Sequence, residues 1–363
     1  MMKRWEKKAV LILVLLLTLS LVGCGGGSTG GQEAAAPESQ ETEAPETQEP
    51  AAPESSGEPM KLIASHVLGP THPYQPGFEL MAEIVKERTN GQIEIEIFHS
   101  ATLAEEEESI EALQMGTIDI TTVSAAPMTG FVKEYMACDL PFIFATPEEA
   151  FAFYDGPVGD RLFELTEPIG LVGLAWWENG FRNFTTRNTL IDTPDDMQGL
   201  KMRTMSSPVH MASIRALGGN AVPIPFGELY SALQQGVVDG QENPVANIHA
   251  MRFDEVQDYV ILSRHFHDPS PLFISQLTWD KLDAEQKQII QEAAIEARDH
   301  MRSVGIEQEA GLIEEIRANG TEVIELTPEQ VRMFQDATKD VYKEFEDQIG
   351  EEFMQFFFEG LGR

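Results

Sequence analysis

The stretch Phe181–Pro244, FRNFTTRNTLIDTPDDMQGLKMRTMSSPVHMASIRALGGNAVPIPFGELYSALQQGVVDGQENP, sets two arginines among apolar and small residues in a chain of net charge −35. A guanidinium cannot shed its charge, so Arg182 and Arg203 in such a setting call for an anionic partner. A planar fork facing a cleft fits a carboxylate, held through two parallel hydrogen bonds. Locally the stretch alternates short β-prone runs with short helices. Thr193-Pro194-Asp195-Asp196 has the form of an N-cap followed by proline. Residues 209–217 and 228–235 read as helices that stop at Gly218 and Gly236. Just ahead, Asn179-Gly180 is a turn signal between an apolar strand at 171–176 and another at 181–186.

The same alternation runs outward in both directions. Residues 61–65, 93–97 and 117–123 read as strands, and 77–90 and 105–115 as helices closed by Gly91 and Gly116. This β-α-β-α-β opening predicts a three-layer α/β domain. Late in the chain, 283–319 is a very long helical pattern, 323–326 a strand and 328–358 a helical tail. A long helix in that place can run along two domains and stiffen the hinge between them. The chain is expected to cross between domains near Asn179, to return near Pro269 and to cross again within the long helix. The expected boundaries are 60–178 plus 269–308 for the first lobe and 179–268 plus 309–363 for the second. A cleft between two such lobes is the usual place for a small ligand.

The N-terminus carries an export signal. Lys3, Arg4, Lys7 and Lys8 precede the apolar run Val10–Val22, which ends in Leu21-Val22-Gly23-Cys24. The run is too short for a membrane span, and the small residues before a cysteine form a lipobox. Residues 1–23 are therefore read as a lipoprotein signal peptide and Cys24 as the lipidated residue, which would hold the protein to the outer face of the cell membrane. Residues 24–59 are read as a disordered tether, since after Cys24 they include no aromatic or large aliphatic residue. The first 59 residues hold four basic and nine acidic groups, leaving −30 on the rest. Nucleic acid and anionic lipid are poor partners for that surface. With Cys24 lipidated, Cys138 is left without a partner and reads as a small buried hydrophobe.

Several runs carry a resemblance to a family. Asn179-Gly180-Phe181-Arg182, Gly199-Leu200-Lys201-Met202-Arg203, Phe226-Gly227-Glu228-Leu229-Tyr230 and Ala232–Pro244 occur in one order. Glu87–Gly91 and Leu140–Phe144 precede them. In these runs the chain resembles the DctP-type substrate-binding proteins of TRAP transporters, over essentially all of 60–363. The resemblance implies a two-lobed α/β fold like that of periplasmic binding proteins, with crossover strands and a long helix spanning both lobes. It implies an organic-acid ligand, a membrane permease as partner, a monomer, and neither catalysis nor a cofactor. By the same resemblance Arg203 clamps the ligand carboxylate and Arg182 binds the same ligand. Phe226 packs over it and Asn243 hydrogen-bonds it, while Glu106, Ser124 and His66 supply polar contacts from the first lobe. Those polar groups suit hydroxyls, so a hexuronate or aldonate is the first expectation and a C4-dicarboxylate the second. Ala104 departs from the family, which often has glycine there.

Other readings stand beside this one. His265-Phe266-His267-Asp268 puts two imidazoles on one strand face, but no cysteine pair or Glu-x-x-His accompanies them to complete a metal site. No nucleophile elbow, Walker loop or dinucleotide fingerprint is present to support an enzyme. Taken alone, Arg203 would be an ion-pair residue, Phe226 core, Asn243 a turn residue, and Glu105–Glu108 a charged first helical turn. Core packing is also expected of at least one of Trp176 and Trp177.

Overall fold

The computed structural model describes residues 58–363. The signal segment, Cys24 and nearly all of the tether lie outside the described residues. Nine strands form one sheet: β1 (Met60–Ser65), β2 (Ile93–Phe98), β3 (Ile120–Thr122), β4 (Leu171–Thr186), β5 (Lys201–Thr204), β6 (Asn220–Pro223), β7 (Gly240–Pro244), β8 (Tyr259–Ser275) and β9 (Glu322–Glu325). The order is β2-β1-β3-β8-β4-β7-β5-β6, with β9 beside β8.

Two long antiparallel strands, β4 and β8, make the fold two-lobed. The end of β8 pairs with β3 through Leu272–Ile274, and its beginning pairs with β9 through Tyr259–Leu262. Likewise β4 enters beside the end of β8 and leaves beside β7, through Arg182–Thr186. Each strand thus belongs to two half-sheets, and a register shift between Glu178 and Gly180 separates them. The two expected crossing points lie opposite one another, with Glu178 paired to Pro269.

Asn179-Gly180 is a correction to the sequence reading. It is a bulge inside one continuous strand, not a turn between two. Gly180 has φ +121°, and a Cβ there would stand 3.2 Å from Pro244. Glycine therefore admits both the backbone twist and the close approach of β7. The helical tail is also interrupted, into Pro328–Ile349 and Glu351–Gly360, at Gly350 with φ +108°.

Successive residues of a strand face opposite ways, so the two tryptophans of β4 enter different cores. Trp176 stacks on Tyr154 and Phe163, whereas Trp177 packs on Phe78. The Trp177 indole N–H donates to the Ala294 carbonyl at 3.3 Å, on the helix Ala284–Ala318. At 1.5 Å per residue that helix is about 50 Å long. It buries Ile290, Ala293, Ala294, Ala297 and Met301, a stripe at helical spacing whose alanines let the helix lie close to the sheet. Cys138 is buried, and burial pushes its thiol pKa up. Among the described residues no helix is long and apolar enough to cross a membrane.

Candidate functional site

A cavity of about 130 Å³ opens between the two half-sheets. One wall is the start of the helix Glu106–Met115 with Glu105 and Pro127; the other carries Arg203, Met205 and Phe226. Arg203 comes from β5, where it pairs with Val222 of β6. Its Nε donates to the Ile224 carbonyl at 2.8 Å, while Nη1 is buried without a hydrogen-bond partner among the described residues. Burial, and then the charge of Arg182, lower the Arg203 pKa to about 10. A guanidinium held at that cost, with a free donor beside a cavity, is suited to an anion.

Glu106 stands on the opposite wall. Its Oε1 accepts from the Ser124 backbone N–H at 2.7 Å. Burial raises its carboxyl pKa to about 7; the Ser124 bond opposes that shift and Asp268 adds to it. Phe226 lines the cavity and packs edge-on against Phe253. The structure therefore brings Arg203, Phe226 and Glu106 to one cavity, with Ser124 directly behind Glu106.

The other expected residues lie deeper or elsewhere. Arg182 is fully buried with every nitrogen engaged. Its Nε and Nη2 meet the Glu242 carboxylate, Nη2 also donates to the Glu242 carbonyl at 2.6 Å, and Nη1 donates to Asp268 Oδ2 at 2.6 Å. Burial alone would lower the Arg182 pKa, but Glu242 and Asp268 outweigh it and hold the guanidinium firmly charged. Asp268 Oδ2 also accepts from Ser124 Oγ at 3.2 Å and from Asn179 Nδ2 at 2.9 Å. Asn243 donates to the Gln241 side chain and accepts from Asn247 Nδ2 at 3.0 Å. His66 sits away from the cavity, bonded to Gln75 at 3.1 Å and stacked on Phe78; burial lowers its pKa to about 4.

Sequence reasoning misses Glu242, Asp268 and Glu105 as members of this region. Acidic residues inside otherwise apolar strands are the available signal, because a buried acid needs a cation as much as a buried arginine needs an anion. The histidines weighed for a metal have protein partners: His265 bonds Ser263 Oγ at 2.7 Å and His267 pairs with Glu178 at 2.8 Å. Among the described residues no three side chains converge as metal ligands. A second cavity, of about 60 Å³, lies at the β4 bulge beside Asn179 and Arg302. Arg302 is already bound there by Asp155, at 2.6 and 3.0 Å, which leaves the Arg203 cavity as the better anion site.

Comparison with known proteins shows the family and the fold. Residues 64–348 match the model of the bacterial extracellular solute-binding proteins, family 7. The C4-dicarboxylate-binding periplasmic protein DctP of Rhodobacter capsulatus is 33% identical over 297 residues, which are 81% of this chain and 89% of that one. A sugar acid binding protein of Advenella mimigardefordensis, solved in complex with galactonate, is 30% identical with a TM-score of 0.82, over 84% of this chain and 98% of that one. A TRAP periplasmic solute binding protein of Sulfitobacter, solved with bound β-D-galacturonate, is 31% identical with a TM-score of 0.79, over 82% of this chain and 98% of that one.

Proposed function

The chain belongs to the family 7 extracellular solute-binding proteins, which serve TRAP transport and are not enzymes, and we propose that it captures a sugar acid and delivers it to a membrane permease. The observation that carries the ligand reading is that Arg203, whose buried Nη1 has no partner among the described residues, lines a cavity whose facing wall is Glu105 and Glu106. The arginine takes one carboxylate. Glu106 accepts a hydrogen bond from a hydroxyl, and the acidic wall it shares with Glu105 disfavours a second carboxylate. A hexuronate or aldonate has that charge pattern, and relatives solved with galactonate and galacturonate support it. The dicarboxylate-binding relative keeps C4-dicarboxylates as the second reading.

In this reading Arg203 clamps the carboxylate, Phe226 covers the ligand and Glu106 reads a hydroxyl. Ser124 orients Glu106, Arg182 and Asn243 hold the layer behind, and His66 supports the first wall. The lobes are 60–178 with 269–308 and 179–268 with 309–363, hinged at the β4 bulge, and the receptor works as a monomer. Cys24 carries the lipid, and the tether keeps the receptor beside its permease.

A thermal-shift screen of organic acids tests the ligand. D-Galactonate or D-galacturonate should raise the midpoint, since a ligand at about 100 times its Kd adds about 2.7 kcal/mol. Stabilisation by succinate and by no sugar acid would move the assignment to dicarboxylates. For the anchor, Cys24→Ser should leave the protein uncleaved or release it from the membrane fraction. Wild-type processing and retention of that variant would remove the lipid from the picture.

A further inference from the structure

Glu105, on one wall of the cavity, meets Gly227, which follows Phe226 of the other wall in sequence. Glu105 lies just before the helix Glu106–Met115, between β2 and β3. Gly227 lies in the short turn Phe226–Glu228, between β6 and β7. They are 122 residues apart in sequence, yet the Gly227 N–H donates to Glu105 Oε1 at 3.1 Å. The backbone N–H of Glu105 is itself held by Glu108 Oε2 at 3.2 Å, which anchors the start of the helix. A Cβ added at Gly227 would stand 2.3 Å from Glu105 Oε1, so the carboxylate, the free end of a flexible side chain, would have to swing off the turn. Gly227 is not among the glycines of positive φ, so its backbone accepts other residues. The missing Cβ matters here only to the contact with the Glu105 carboxylate.

We propose that Glu105 is a positioning residue whose hydrogen bond to Gly227 latches the two walls of the cleft around a bound sugar acid and slows its release. The inference rests on the sugar-acid reading above. The bond fixes the turn that carries Phe226, so it holds the aromatic cover in place. Arg203 remains the carboxylate partner with or without it. Losing the latch therefore acts on the dissociation rate and leaves the association rate nearly unchanged.

The test is stopped-flow tryptophan fluorescence with D-galactonate on wild type, Glu105→Ala, Glu105→Asp, Glu105→Gln, Gly227→Ala and the Glu105→Ala/Gly227→Ala double variant. Loss of one charge-assisted hydrogen bond predicts a dissociation rate about tenfold higher for Glu105→Ala and Glu105→Asp. Aspartate is a good N-cap residue, so the Asp variant keeps the helix start while falling one methylene short of Gly227. It therefore tests the latch even where the Ala variant folds poorly. Glu105→Gln keeps an acceptor of the same reach without the charge and should release ligand at a rate between those of wild type and Glu105→Ala. Gly227→Ala should release fast in the wild-type background and add nothing to Glu105→Ala, because the clash and the bond share one atom. Wild-type release from Glu105→Asp, or effects that multiply in the double variant, would overturn the latch alone. A wild type that binds no organic acid in the thermal screen overturns the sugar-acid reading and the latch with it.

Discussion

Arg182 and Arg203 are both buried, on strands of the same half-sheet, and they differ in what surrounds them. Arg182 is enclosed by Glu242 and Asp268, which take its nitrogens at hydrogen-bond distance. Arg203 has a single backbone acceptor and no ion pair among the described residues. A buried charge is costly until it is paired. The first arginine meets that cost inside the fold and so joins β4, β7 and β8 where the lobes meet. The second leaves the cost unmet beside a cavity, so that a ligand anion can meet it.

The largest effect that could break this contrast is on stability. Arg182→Ala leaves Glu242 and Asp268 as uncompensated buried acids and should cost about 3–5 kcal/mol of folding free energy in urea titration. A loss below about 1 kcal/mol, with ligand affinity abolished, would transfer Arg182 from the architecture to the ligand site. Arg203→Ala should show the opposite pattern. The ligand-free protein should be as stable as wild type or more so, because an unpaired buried charge is gone. Binding of D-galactonate should weaken by at least about 2 kcal/mol, roughly thirtyfold, in calorimetry. Near-native affinity would remove Arg203 from the site.

The smallest effect concerns pH. Burial lifts the Glu106 pKa from 4.5 to about 7. Between those values the folded state holds a proton that the unfolded state has lost, so Glu106 lowers stability as pH rises from about 4.5 through about 7. His66 acts in the opposite sense, since its pKa falls from 6.5 to about 4 on folding and stability rises across that interval. Subtracting wild type from Glu106→Gln isolates the carboxyl. Relative to wild type the variant should gain about 2 kcal/mol between pH 5 and pH 8, in urea titrations at both values. A flat difference would mean that the Glu106 carboxylate is solvated rather than enclosed.

Much of the architecture is legible in the sequence because it rests on local chemistry. Gly116 closes the helix that begins at Glu106, and Thr193 and Asp196 form a capping box around Pro194. Each depends on residues within one turn of one another. The bulge at Gly180 reads as a turn because Asn-Gly carries the same positive-φ signal in both settings, and only β8 alongside keeps the strand continuous. The site is legible in part for a related reason. An arginine in an apolar setting announces that it needs an anion, without announcing whether that anion is a ligand or another residue of the chain.

By itself the sequence determined the alternating α/β order, the long helix, and two arginines whose charge had to be answered. These follow from periodicity and the permanence of a guanidinium charge. Tertiary structure decided how each charge is answered. It drew Glu242 and Asp268, far from each other in sequence, onto Arg182, and it left one nitrogen of Arg203 unmatched beside the cavity. The physical reason is that compensation of a buried charge falls off steeply with distance, and distances between remote segments exist only once the strands have paired.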